Sequence, residues 1–170
     1  MLKVYLDSSA IVKRYITEPG SLAVDEVFRR AEAGGAIATF SLWNIGEVLG
    51  VLDERRKRKW LNEDEFTTAL KKFADELIKL LRLRSIEIIL TLTPLLTETW
   101  SLILNYHIYE ADALQLSACS NSRSDTFLSG DKGLVNIARK AGLKAFDVST
   151  EEKEAKQFLN NAKRMSHPKS

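Results

Sequence analysis

Compact apolar runs alternate along the chain with segments in which apolar residues recur at helical spacing. The runs that predict strands are 2–6, 36–40, 86–92, 126–129 and 143–148. Between them, apolar positions three and four residues apart predict amphipathic helices, of which the clearest begins at the capping residue Asn62 and continues to Leu81. Strands that alternate with helices indicate an α/β domain whose mostly parallel sheet is covered on both faces.

The organisation of the chain is that of one domain with a short extension. Residues 1–148 contain all the predicted strands and no repeat or linker, and the polar, helix-prone segment 149–170 forms a C-terminal tail that we expect to fray near 167–170. Between Glu47 and Asp112 the pattern is helical apart from one strand. This stretch predicts a helical arm at the side of the sheet.

Composition excludes several classes of protein but does not identify a partner. Of the 170 residues 45% are hydrophobic and 28% charged, which is typical of a globular chain, and the net charge is only +2. The single cysteine, Cys119, excludes an internal disulfide framework and favours a reducing, cytoplasmic setting. No apolar stretch approaches the roughly 20 residues that span a bilayer, so we expect no membrane association.

Four acids occupy positions where ligands bind in such a domain. Asp7 follows the first predicted strand directly, and Asp131 follows the strand 126–129 after one glycine. Ligands of open parallel sheets bind beyond the carboxyl ends of the strands. Glu47 and Asp112 lie on predicted helices among apolar neighbours, with no basic residue three or four positions away to pair with.

Each acid also has a purely structural interpretation. Asp7 and Asp131 would serve as helix caps, Asp112 as a charge favoured by a helix N-terminus, and Glu47 as a solvent-facing residue. Together, however, the four suggest a convergent cluster, in which carboxylates about 4 Å apart repel by roughly 4 kcal/mol at an effective dielectric of 20. Oxygen ligands without His or Cys favour Mg²⁺ or Mn²⁺, which indicates metal-assisted hydrolysis of a phosphodiester.

The same residues resemble a known family. The segments 4–13, 18–20, 43–48, 109–118 and 125–131 are similar, in kind and order, to those of PIN domains of the VapC toxin type, and 138–143 also fits. The resemblance implies an α/β/α sandwich and a Mg²⁺- or Mn²⁺-dependent ribonuclease. The stretch between Glu47 and Asp112 is longer than in a compact VapC, and the tail after Val148 is additional.

Site residues follow from the resemblance position by position. It implies that Asp7, Glu47, Asp112 and Asp131 are the catalytic, metal-binding acids and that Ser9 and Ser129 support them. It also implies an RNA substrate, a VapB-like antitoxin that blocks the site, and a homodimer or higher oligomer. The apolar surface of the helical arm suggests self-association or an antitoxin groove.

Basic and aromatic residues supply candidates for RNA contact. Lys13 and Arg14 follow Asp7 on the same helix, and Arg55 and Arg56 begin a run of five bases. The run has two interpretations, phosphate contact or a solvated helix end. Three tryptophans are able either to stack on bases or to pack in the core or an interface: Trp43, Trp60 and Trp100.

Three functions remain open at this point. The first is an endoribonuclease toxin of a VapBC-type pair. The second is a housekeeping RNA- or DNA-processing nuclease, or a phosphatase, that uses the same acids. The third is a catalytically silent binding module on this fold.

Overall fold

Five parallel strands form one sheet with helices on both faces. The structure, a computed structural model, describes the backbone of residues 1–165 and the side chains of residues 1–162. Within these residues the strands are β1 Leu2–Leu6, β2 Ala36–Ser41, β3 Ile86–Ile89, β4 Thr126–Ser129 and β5 Ala145–Asp147. Their order across the sheet is β3-β2-β1-β4-β5, and every neighbouring pair is parallel. The predicted fold class is confirmed.

Capping side chains or glycines mark some of the helix ends. They are α1 Ser8–Val12, α2 Ser21–Glu32, α3 Leu42–Lys57, α4 Glu63–Arg82, α5 Thr93–Tyr106, α6 Glu110–Asn121, α7 Lys132–Lys140 and α8 Glu152–Met165. Ser41 and Asn62 each form a capping box, at the start of α3 and α4 respectively. Within the described residues, none of these helices is long and apolar enough to cross a membrane.

The two faces of the sheet pack against different helices. On β1, Val4 and Leu6 join one buried cluster with α1, α2, α3, α4 and α8, whereas Tyr5 joins the other with α5, α6 and α7. This alternation follows from the two-residue period of a strand. The predicted arm contributes to both layers, since α4 buries Phe73 in the first cluster and α5 buries Leu95 in the second.

The C-terminal segment is more integrated than a tail. Helix α8 packs against α2 and β5, and Ala155 and Leu159 are fully buried in the first cluster. Helix α8 therefore packs on the sheet and on α2, although it follows the last strand. The predicted fraying near 167–170 lies outside the described residues.

Candidate metal and nucleic-acid site

The first and fourth strands bring two of the acids to one edge of the sheet. β1 and β4 pair in parallel with Leu6 opposite Leu128, so both strands end at the same edge. Asp7 comes directly after β1, and Asp131 comes two residues after β4. Asp125 lies at the opposite end, where its carboxylate accepts from the Lys3 amide at 2.7 Å.

Three donors hold the buried Asp7 carboxylate. Oδ1 accepts from Ser9 Oγ at 2.7 Å and from the Ala10 amide at 2.8 Å, and Oδ2 accepts from Ser129 Oγ at 2.6 Å. The pKa of Asp7 is raised to about 6, mainly because the carboxyl is buried. The three hydrogen bonds lower this pKa, and the charge of Glu47 raises it further. Asp7 thus caps α1 as its structural interpretation predicts, and it is also an acid poised near neutral pH.

The two serines tie the loop after β4 to this carboxylate. Ser9 Oγ accepts from the Gly130 amide at 2.7 Å, and Ser129 Oγ accepts from the Asp131 amide at 2.9 Å. Each hydroxyl therefore donates to Asp7 and accepts from the loop that contains Asp131. The supporting position expected for Ser9 and Ser129 agrees with these contacts.

A buried polar network orients Glu47. Gln115 Nε2 donates to Glu47 Oε2 at 2.8 Å, and Gln115 Oε1 accepts from Asn44 Nδ2 at 2.8 Å and from the Tyr5 hydroxyl at 2.9 Å. Burial raises the pKa of the Tyr5 phenol, which keeps it a neutral donor. Sequence reasoning missed Tyr5, Asn44 and Gln115. The available signal was a polar side chain within apolar surroundings, at Gln115 among Leu114 and Leu116.

Electrostatic coupling links all four acids. Burial is the main cause that raises the pKa values of Glu47 and Asp112, and a neighbouring carboxylate raises each one further. The charge of Glu47 acts on Asp7, that of Asp112 acts on Glu47, and that of Asp131 acts on Asp112. The acids predicted from the sequence therefore lie within one shared field, although Asp131 is exposed and also caps α7 through the Leu134 amide.

The donor chemistry of this cluster fits a hard divalent cation. Its ligand atoms are carboxylate oxygens, and burial, with a smaller contribution from a neighbouring carboxylate, raises the pKa values of Asp7, Glu47 and Asp112. No three acids, histidines or cysteines of the described residues stand at metal-binding distances as a ready-made set. Oxygen ligands supplied by waters or substrate phosphate are typical of Mg²⁺, which commonly uses only one or two protein carboxylates directly.

Lys13 lies inside the site instead of on its rim. Its side chain is only 8% exposed, and Nζ pairs with Glu18 Oε2 at 3.2 Å. A Cβ on Gly130 would stand 2.8 Å from Lys13 Cε and 3.4 Å from Nζ, so the lysine packs directly on the glycine between Ser129 and Asp131. Glu18 also pairs with Arg55, and it therefore connects the buried lysine with the start of the basic run.

The other predicted RNA contacts are engaged with acids of the protein. Arg14 pairs with Asp25 at 2.8 Å and with Glu76 at 2.7 Å, between α2 and α4, and the structure does not bring it to the carboxylate cluster. Arg56 pairs with Asp53 at 2.6 Å and lies over the Phe66 ring. Both remain predictions as RNA contacts.

The aromatic and thiol candidates also take definite positions. Trp43, Trp60 and Trp100 are 51%, 66% and 60% exposed, which excludes core packing for all three. Cys119 is buried, and burial raises the pKa of its thiol to about 12, so it is a packing residue without thiolate character at neutral pH.

The PIN domain family model matches residues 4–140. No curated protein matches in sequence. Solved structures with a similar fold include PAE2754 from Pyrobaculum aerophilum, at 14% identity and a TM-score of 0.61, which covers 95% of this chain and 89% of that one.

Two further structures share the fold. VapC20 of Mycobacterium tuberculosis, a toxin that cleaves the sarcin–ricin loop, is 12% identical with a TM-score of 0.56, covering 82% of this chain and 95% of that one. FitAcB from Neisseria gonorrhoeae is 15% identical with a TM-score of 0.58, covering 86% of this chain and 99% of that one.

Proposed function

The chain belongs to the PIN domain family, whose members are generally nucleases, and we propose that it is a Mg²⁺- or Mn²⁺-dependent endoribonuclease. We propose further that it is the toxin of a VapBC-type pair, as the resemblance in sequence implies. The observation that best supports the nuclease is the position of Asp7 and Asp131 at the carboxyl ends of the paired strands β1 and β4, with Glu47 and Asp112 near enough for the charge of a neighbouring acid to raise their pKa values. That VapC20, a protein of the same fold, cleaves an RNA loop supports RNA as the substrate class.

Each residue of the proposed site has its own role. Asp7 and Glu47 would bind the metal, with Asp112 and Asp131 completing the site, and a metal held there would lower the pKa of a water and offset charge on the phosphoryl oxygens. Ser9 and Ser129 keep the Asp7 carboxylate in one orientation, and Gln115 does the same for Glu47. Lys13 supplies a fixed positive charge beside the loop that precedes Asp131.

A cleavage assay tests the activity directly. Purified wild type and Asp7→Asn are incubated with a structured RNA, a single-stranded DNA and a small phosphoester, with Mg²⁺ or Mn²⁺ and with EDTA. We expect cleavage of RNA alone, dependent on metal and lost in Asp7→Asn. Equal cleavage by wild type and Asp7→Asn would refute the site, whereas turnover of DNA or the phosphoester would favour a housekeeping nuclease or a phosphatase.

Calorimetry with Mn²⁺ separates the nuclease from a silent binding module. An intact four-acid site binds Mn²⁺, and the binding weakens in Asp7→Asn and in Glu47→Gln. Glu54→Gln, on the same helix but outside the coupled acids, is the matched control and should bind as wild type does. Absence of Mn²⁺ binding in the wild type would favour the silent module.

The proposed partners are a VapB-like antitoxin and further copies of this chain. Support comes from α5, where Leu96, Trp100 and Leu104 are exposed and four residues apart, so they share one helix face. The test is light scattering of wild type and of Leu104→Glu. A dimeric wild type that becomes monomeric in the variant would support self-association through α5, and an unchanged mass would contradict it.

A further inference from the structure

A cleft opens directly beside Glu47 on the surface of α3. It has a volume of about 470 Å³ and is lined by Ser8 and Glu47 at one end and by Val51, Arg55 and Trp60 farther along. Ser8 follows Asp7 in the chain, so the cleft is continuous with the carboxylate cluster. Its volume falls within the range of small-molecule sites, about 300–1,000 Å³.

The backbone of the turn after α3 fixes Trp60 at the edge of this cleft. The Trp60 amide donates to the Arg55 carbonyl at 2.9 Å, and the Lys59 amide donates to the Arg56 carbonyl at 2.9 Å. These two bonds form a Schellman motif, in which Lys59 occupies the left-handed position at φ 59°. The apolar residue that follows such a motif commonly packs back on its helix, but the Trp60 side chain is 66% exposed.

Two arginines, Arg55 and Arg58, line the cleft together with the acids Glu47 and Glu54. The Arg58 guanidinium lies over the Trp60 ring, 5.2 Å from its centroid, and pairs with Glu54 at 2.7 Å in an exposed ion pair. Arg55 pairs with Glu18, and both side chains are about one quarter exposed. The exposed Arg58–Glu54 pair contributes only about 0.2–1 kcal/mol, so a phosphate is able to compete for the Arg58 guanidinium.

We propose that this cleft is a nucleobase subsite: the nucleotide next to the cleaved phosphodiester stacks its base on Trp60, and Arg55 and Arg58 contact the adjoining phosphates. This inference rests on the proposed ribonuclease function and adds a specificity element to it. The cleft offers the aromatic face of Trp60, the guanidinium groups of Arg55 and Arg58, and a lining that includes Glu47 of the carboxylate cluster. These features match a single-stranded nucleic acid, since bases stack on aromatic side chains and phosphates pair with arginine.

The test compares an RNA with its base-free counterpart. Asp7→Asn protein, which we expect to bind substrate without cleaving it, is titrated with fluorescein-labelled octaadenylate and with an abasic ribose-phosphate octamer of equal charge. We expect octaadenylate to bind more tightly, and Trp60→Ala, added to Asp7→Asn, to reduce that preference by about fivefold or more, the lower end of the stacking contribution. Trp60→Phe should retain most of it.

Trp100→Ala is the matched control, because Trp100 is similarly exposed but lies on α5 outside the cleft. It should leave the ratio of the two affinities unchanged. The inference is overturned if Trp60→Ala weakens both octamers equally or leaves both unchanged, with circular dichroism showing a folded variant. A cleavage assay on protein with native Asp7 distinguishes failure of this inference from failure of the proposed function. If that protein shows no cleavage that depends on Asp7, the nuclease is refuted, whereas the stacking of a base is judged only by the comparison of the two octamers.

Discussion

Ser129 Oγ donates to Asp7 Oδ2 at 2.6 Å, across 122 positions of sequence. The bond joins the ends of two neighbouring parallel strands and leaves the hydroxyl oxygen free to accept from the Asp131 amide. One serine thus positions the buried acid and the loop that presents the exposed one. A hydrogen bond to the charged form of an acid lowers its pKa, so Ser129 opposes the effect of burial on Asp7.

Ser129→Ala should therefore raise the pKa of Asp7 above about 6 and shift the pH dependence of the site upward. Loss of the bond should also lower the free energy of unfolding by about 1 kcal/mol. RNA cleavage measured from pH 5 to pH 8.5 checks the shift. Ser124→Ala is the control, because Ser124 shares its hydrogen bond with Ser122, away from the carboxylates. An unchanged pH profile would contradict the assigned role.

The raised pKa of Asp7 predicts a pH-dependent stability in the absence of metal. The ordinary pKa of an aspartate is 3.8, and that of Asp7 in the folded protein is about 6. Between these two pH values the folded protein retains a proton on Asp7 that the unfolded chain has lost. The stabilisation is therefore fully present below about pH 3.8 and is lost as pH rises through about 6. A shift of about two pKa units corresponds to about 3 kcal/mol.

Urea unfolding in EDTA at pH 4.5, 5.5, 7 and 8 measures this effect as the difference in the free energy of unfolding between Asp7→Asn and wild type. The difference should grow in favour of the variant up to about pH 6 and then level off. The affinity of the wild type for Mn²⁺ should fall below pH 6, because a proton competes for the same carboxylate. A difference that is independent of pH would show that Asp7 titrates normally.

The sequence predicted the acids because their signal is local. Asp7 and Asp131 lie at the ends of predicted strands, and Glu47 and Asp112 have no basic residue three or four positions away. Both features are visible in the sequence alone. The fate of Arg14 was not visible, because its carboxylate partner Glu76 lies 62 positions away on α4. The same holds for Gln115, which reaches Glu47 over 68 positions. Long-range polar pairs depend on how the layers pack, and periodicity does not encode that.

Asp112→Asn should stabilise the metal-free protein, because it removes a charge that repels Glu47 and is repelled by Asp131. We expect a melting temperature about 2 °C higher in EDTA, the shift that somewhat under 1 kcal/mol gives in a domain of this size. With excess Mn²⁺ the order should reverse. Glu110→Gln removes the same charge from the same first helical turn and controls for the helix dipole. A lower melting temperature for metal-free Asp112→Asn would count against a clustered site.

Gln115→Leu should impair both stability and cleavage. The variant leaves the Asn44 amide and the Tyr5 hydroxyl without their shared acceptor, at a cost of about 1–3 kcal/mol. It also removes one of the hydrogen bonds that hold the Glu47 carboxylate, so Mn²⁺ affinity should fall even where the variant remains fully folded. Calorimetry at a temperature well below the melting point separates the two effects. Native Mn²⁺ affinity in the folded variant would mean that Gln115 does not orient Glu47.

Gly130→Ala should reduce cleavage more than stability. The new Cβ would stand 2.8 Å from Lys13 Cε and 3.2 Å from Ser9 Oγ, so the flexible end of the lysine must move away from the site. Such a movement costs little in folding, but it displaces a buried positive charge from beside the carboxylates. We expect at least a tenfold loss of cleavage with a loss of about 1 kcal/mol or less in the free energy of unfolding, within the usual cost of overpacking.

Gly46→Ala provides the opposite case, because a Cβ there meets no atom within 4 Å in an exposed part of α3. That change should raise stability by up to about 1 kcal/mol, the difference in helix propensity. A double-mutant cycle then assigns the cause at Gly130: in a Lys13→Met background, Gly130→Ala should reduce cleavage no further. An additional tenfold loss in that background would show that the glycine acts through Ser9 and the loop instead of through the lysine.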